Sequence, residues 1–186
     1  GIGIKSLQVD VASQKVFLLL ACTGSCTVFL RDSTKSEFDF GAEASGLMLL
    51  VYTYDDESGF APEEAVLVWN AEGNSDSLSR HGTIEVKSLE SDGGNIIVFG
   101  GCFHGKIGLA TTSIEENSEW SSSTAEPTII LDAKGNSQDF FVARIRAFGS
   151  RALELVEDYT EAYGTRRRDE CVAALYPVDG EGYRST

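Results

Sequence analysis

Ten clusters of β-branched, aromatic and aliphatic residues, short and divided by Gly, Asn, Asp and Ser, constrain this chain more than any other feature. They run Ile4 to Val11, Val16 to Cys22, Cys26 to Arg31, Leu47 to Tyr54, Ala65 to Asn70, Thr83 to Leu89, Asn95 to Gly100, Lys106 to Thr111, Thr128 to Leu131 and Phe140 to Ala147. Each is strand-sized, and several alternate apolar with polar residues, as a sheet face meeting water requires. Ser6 to Val11 and Val142 to Arg146 show that alternation. Val16 to Cys22 and Leu47 to Val51 are apolar at every position, which predicts strands covered on both faces.

So many short strands in 186 residues exceed what one open sheet holds comfortably, and the chain is too short for two ordinary domains. The expectation is therefore a mainly β, single domain over 1–186, an antiparallel β-sandwich or jelly-roll-like barrel. One motif recurs. Val66 to Ser75 (VLVWNAEGNS) returns at Thr128 to Ser137 (TIILDAKGNS), a strand entering an Asx turn and a Gly-Asn reversal. Two hairpins of similar build are expected, rather than a duplicated fold.

After Gly149 the period changes. Ala152, Leu155, Val156, Tyr159 and Tyr163 recur at helical spacing, with Ser150 as N-cap and Gly164 as stop, predicting a C-terminal α-helix over about 151–163 packed on the β body. Glu115 to Glu126, rich in Ser and acids, reads as a long surface loop that Trp120 pins to the body.

Charge narrows the partners. Fifteen Lys and Arg against 29 Asp and Glu leave −14, which opposes nucleic-acid binding by phosphate neutralisation. No apolar run reaches the roughly 20 residues of a membrane helix. Arg166, Arg167 and Arg168 form the basic run, a candidate contact for an acidic partner, with Asp169 and Glu170 beside them for local pairing. Trp120 and Tyr54 are further candidate binding residues, as aromatics able to stack on a sugar ring.

Four cysteines and two histidines carry the remaining chemistry. Cys22 and Cys26 flank a Gly-containing loop of hairpin length and are expected to face one another, either as small buried thiols or as a disulfide. Cys22, Cys26, Cys102 and His104 are candidate ligands for zinc, although their spacing is that of no common zinc motif. Cys102, His104 and His81 are the candidate catalytic set, because Gly100, Gly101 and Gly105 around Cys102 leave backbone amides free to stabilise an oxyanion.

In size and strand content the chain resembles a viral chymotrypsin-like cysteine protease. That resemblance implies a nucleophile at Cys102, a His well upstream and an acid between them, whereas His81 lies close before Cys102 and His104 just after it. Phe140 to Ala147 followed by Glu154 and Asp158-Tyr159 is similar to the last motif of SET-domain lysine methyltransferases. The Asn-His pair and Gly-rich strand of that family have no counterpart here.

The catalytic inventory is thin. The expected function is a non-enzymatic structural or recognition module that binds a protein partner or self-assembles, of viral, cell-surface or adaptor type, with no cofactor. A cysteine-dependent enzyme centred on Cys102 and a carbohydrate-binding module are the alternatives.

Overall fold

The computed structural model describes residues 1–30, 34–56, 59–72, 78–88, 95–134, 138–147, 153–166, 171, 175–177 and 183–185. Its strands are β1 (Ile2–Asp10), β2 (Lys15–Thr23), β3 (Ser25–Phe29), β4 (Lys35–Asp39), β5 (Ser45–Asp55), β6 (Gly59–Asn70), β7 (Leu78–Ser88) and β8 (Asn95–Phe103). They continue as β9 (Lys106–Ser113), β10 (Glu119–Ser121), β11 (Ile129–Asp132), β12 (Asp139–Ala147), β13 (Leu153–Leu155), β14 (Glu161–Tyr163), β15 (Leu175–Pro177) and β16 (Tyr183–Ser185).

Strands β1-β2-β5-β6-β9-β11 form a six-stranded antiparallel sheet. A second sheet runs β13-β12-β8-β7, with β14 also on β12, and a small third sheet runs β10-β4-β3. The first two sheets pack face to face. Phe17, Leu19, Leu49, Val66, Val68 and Leu109 from the six-stranded sheet meet Ile97, Phe99, Phe103, Phe141 and Ile145 from the other in one buried cluster. Phe99 and Phe141 cross edge to face at 5.6 Å, a favoured aromatic geometry. Consecutive strands β1-β2 and β5-β6 stay neighbours in one sheet, a meander that departs from the two Greek keys of a jelly roll.

The six-stranded sheet is apolar on its other face as well. Leu20, Cys22, Met48, Leu50, Ala65, Leu67 and Trp69 are buried there with Cys26, Val28, Phe38 and Phe40 of the small sheet region. This explains the uninterrupted apolar runs of β2 and β5, since alternate residues serve different cores. Between β2 and β3 the chain turns through Gly24, whose φ of +73° suits glycine. That turn is a corner between two sheets, so Cys22 and Cys26 bridge layers instead of facing across a hairpin; they form a disulfide with Cα atoms 6.3 Å apart. Strand β4 escapes the sequence pattern because Phe38 is its one large apolar residue. Its buried Ser36 is satisfied by donating to the Glu115 carbonyl and accepting from Ser118 Oγ at 3.1 Å.

The two copies of the turn motif end β6 and β11, which flank β9 on its two sides. Val68 and Ile129 both oppose Leu109, one position out of step with the sequence match, so the echo is not a structural repeat. Asn70 does start an Asx turn: Glu72 N donates to Asn70 Oδ1 at 2.7 Å. Ala71 N donates to Lys106 O at the start of β9, and Ala133 N donates to Gly105 O in the β8-β9 connection. Lys106 Nζ sits 3.3 Å from Asp132 Oδ1 and 3.9 Å from Glu72 Oε1.

The expected C-terminal helix is not formed. Residues 153–163 are β13, a 3-10 turn at Glu157–Tyr159, and β14. Both short strands pair with β12, Leu155 opposite Ile145 and Tyr163 opposite Phe140. The free edge of β12 supplies backbone partners on either side of the turn, and Phe140 stacks on Tyr163 at 5.3 Å. Tertiary pairing thus overrides a helical stripe. Residues 151 and 152, the first of that helix reading, lie outside the described residues.

The small sheet rests on a glycine. Phe40 lies directly over Gly46, where a Cβ would collide with its ring. Gly46→Ala is expected to destabilise the fold by about 2 kcal/mol through overpacking. Urea unfolding measures this, and an unchanged midpoint would contradict the seating of Phe40.

Candidate docking surface

Strand β1 is an edge of the six-stranded sheet and is turned the wrong way round for an ordinary edge. Ile2, Ile4, Leu7, Val9 and Val11, the last just past the strand, are 55%, 70%, 55%, 57% and 83% exposed. Its polar residues are the more covered. Asp10 accepts from Ala12 N at 3.1 Å and from Ser13 Oγ at 2.6 Å, closing the turn to β2, and takes a third bond from the amide of buried Asn95 at the start of β8. The bond to Asn95 ties Asp10, on the polar side of β1, to the facing sheet, and the apolar side faces out.

A bulge keeps the stripe in line. Ile4 opposes Leu20 but Ser6 opposes Leu19, so Lys5 is the extra residue and the alternation shifts phase by one. Without that shift Leu7 and Val9 would point to the opposite face from Ile2 and Ile4. Cross-strand register then extends the stripe inward. Val9 opposes Val16, which opposes Tyr52; Leu7 opposes Leu18; Tyr54 opposes the 55% exposed Phe60, with rings 5.0 Å apart. Val16, Leu18, Tyr52 and Tyr54 are half-buried. The result is an apolar shelf four strands wide, on the part of the outer face that the small sheet leaves uncovered. Single exposed apolar residues are ordinary on protein surfaces, whereas a contiguous set of this kind makes the shelf a candidate interaction surface.

The β1 and β2 side of the shelf is also poor in charge. Residues 1–30 contain Lys5, Lys15 and Asp10, a net of +1 within a chain of −14, and residues 45–54 contain no charged side chain, whereas Asp55, Asp56, Glu57, Glu63 and Glu64 follow in the sequence at the β5-β6 end. Partial burial holds the Tyr52 phenol above its ordinary value of 10.0.

The residues singled out from sequence fall elsewhere, Tyr54 excepted. Cys102 is buried on the outer face of the second sheet and disulfide-bonded to Cys171, with Cα atoms 5.1 Å apart. A sulfur in a disulfide offers no thiolate for attack or metal binding. His104 is half-buried beside it in the β8-β9 connection. His81 falls on β7, in the irregular stretch between Leu78 and Gly82, and its side chain lies outside the described residues. Cys22 and Cys26 sit at the outer side of the six-stranded sheet, so the four zinc candidates are on opposite sides of the two-sheet body. Among the described residues no three His, Cys, Asp or Glu side chains are grouped to hold a metal ion. No helix among them is long and apolar enough to cross a membrane.

Trp120 packs against Phe40, Trp69 and Phe38 at centroid distances of 5.2, 5.3 and 6.4 Å, which accounts for its place in an otherwise polar segment. That segment contains β10, paired in parallel with β4. Trp120 also lines a cleft of about 280 Å³ with Phe38, Thr112, Ser113, Glu115, Ser118 and Glu119. Arg166 is exposed, and Arg167 and Arg168 lie outside the described residues. The stripe on β1 was within reach of sequence reading, because Ile2 and Ile4 stand at even positions and Leu7, Val9 and Val11 at odd ones. Which side faced solvent was not, since Asn95 is 85 residues away from Asp10.

Two measurements check this picture. A thiol reagent should label none of the four cysteines of the native oxidised protein and all four after reduction and unfolding. Native labelling of Cys102 would contradict the assignment. Cross-link entropy gives the Cys102–Cys171 bond, 69 residues apart, a stabilisation of about 4 kcal/mol, and Cys22–Cys26 about 2 kcal/mol. The Tyr52 proton is held to higher pH in the folded than in the unfolded chain. Its contribution to stability is therefore full below pH 10.0 and is lost as pH rises through the raised folded value. Wild type should lose stability faster than Tyr52→Phe above that pH; coincident curves would contradict the burial of the phenol.

Compared with protein-family models, with curated proteins and with solved structures, the chain matches none. What it does is read from its own surface.

Proposed function

We propose that this chain is a non-enzymatic β-sandwich module for recognition or assembly, and that it binds protein through the shelf formed by β1, β2, β5 and the start of β6. The observation that carries this reading is the outward stripe of Ile2, Ile4, Leu7 and Val9, apolar side chains left in water on a strand whose Asp10 is hydrogen-bonded to Asn95 of the facing sheet. Exposing them has a cost of about 1–2 kcal/mol per side chain, set by the roughly 25 cal/mol per Å² of apolar surface left wet, and a partner recovers it.

The disulfides support a compartment. Two closed bonds belong to an oxidising setting, such as a cell surface, a secretory lumen or the outside of a virion. They also weigh against the cysteine-enzyme alternative, because Cys102 is committed to Cys171. The carbohydrate alternative is weakened by the position of Trp120, whose indole is taken up by three neighbouring rings.

The test is a photo-reactive residue at Leu7, with Glu116 as an exposed control, introduced in cells that make the protein. Position 7 should yield discrete adducts whose second peptide is identified as protein, including this chain itself, and position 116 should yield none. Equal or absent cross-linking at the two positions would sink the reading.

A further inference from the structure

We infer that the shelf receives a second copy of this chain, packed face to face about a two-fold axis, so that the stripe of one protomer lies on the stripe of the other. This rests on the docking reading above and commits it to one occupant.

Three observations select that occupant. The first is shape. The shelf is a broad face of twisted sheet, not a groove for a helix or an extended peptide, and the surface that fits a twisted sheet face is another of the same hand. A second copy supplies it by symmetry, since a two-fold interface joins a patch to itself. The second is charge. Copies that each carry −14 repel, and they approach most readily through the strands poorest in acid: β1 and β2 carry only Lys5, Lys15 and Asp10, and residues 45–54 of β5 carry no charge, while the acids Asp55, Asp56, Glu57, Glu63 and Glu64 follow in the sequence at the β5-β6 end of the shelf. A basic partner, by contrast, would be drawn to the acidic remainder of the molecule. The third is the edge itself. The bulge at Lys5 interrupts the open backbone of β1 and puts a cation there, two devices that block edge-to-edge strand pairing. The face is open while the edge is blunted, so association proceeds through side chains.

The strength follows from size. Four strands about 4.8 Å apart and seven residues at about 3.3 Å each give a footprint of roughly 440 Å². This is about half of the ~800 Å² that each partner buries in a standard interface, which places the dimer among weak, micromolar associations. Salt strengthens it by screening repulsion between the acidic bodies.

Sedimentation velocity on the oxidised full chain, from about 1 µM to about 300 µM, tests the inference. The expected result is a monomer that shifts to dimer over that range, at lower concentration in higher salt. Leu7→Lys should raise the dissociation constant at least tenfold, and Ile4→Gln should raise it as well. Ile130→Lys, an exposed apolar position on β11 at the opposite edge of the same sheet, should leave it unchanged. The wild-type series needs no variant to fold, and circular dichroism checks the variants. A wild type that stays monomeric throughout overturns the second copy. If position 7 nevertheless cross-links to a different protein, the docking reading survives that result; if it cross-links to nothing, both fall. A dimer that persists undiminished in Leu7→Lys and Ile4→Gln also overturns the inference, since it would be built on another surface.

Discussion

A sheet that is apolar on both faces has to be covered on both, and in this protein the coverage is unequal. The six-stranded sheet buries one face fully against the five-stranded sheet through Phe17, Leu19, Leu49, Val66 and Leu109. Among the described residues its other face is covered by β3, β4 and β10, with Leu30, Ile114 and Ala125, over Leu20, Met48, Leu67 and Trp69. Everything distinctive follows from that half-cover: the corner at Gly24, the disulfide that ties the corner, Phe40 seated over Gly46, Trp120 closing the small sheet, and the apolar remainder on β1 and β2. Burial at about 25 cal/mol per Å² of apolar surface drives the covered part, and the same quantity is unspent at the shelf.

Much of the β architecture was legible in the chain. The ten apolar clusters each contain part of a strand, because period-two patterning and Gly, Asn and Asp turns act locally. The doubly apolar runs of β2 and β5 announced a sheet covered on both sides. The failures have local causes too. Lys35 to Asp39 has too little apolar content to signal a strand, and it forms one because Ser36 and Phe38 find partners far along the chain. Leu155, Tyr159 and Tyr163 fit a helical stripe, but the free edge of β12 offered hydrogen bonds to short strands on either side of a 3-10 turn.

The site was less legible, for a different reason. Cysteine, histidine and tryptophan draw attention by residue type, while their roles here depend on pairing that sequence leaves open: Cys102 with Cys171, Trp120 with Phe40 and Trp69. The shelf is made of unremarkable Ile, Leu and Val. Its meaning lies in their direction, and direction is set by the bond between Asp10 and Asn95 together with one extra residue at Lys5. Tyr54, counted among sequence candidates as a sugar platform, lies on the shelf for the different reason that it packs on Phe60.

The central claim is that β1 turns its apolar side to solvent in the single molecule. Methyl NMR of dilute protein with a soluble gadolinium chelate reads this directly. The methyl signals of Ile2, Ile4, Leu7 and Val9 should broaden strongly, while those of Leu19, Val66 and Leu109, all fully buried, should stay sharp. Sharp signals from Ile4 and Leu7 at a dilution where the protein is monomeric would mean that β1 faces inward, and would contradict the account.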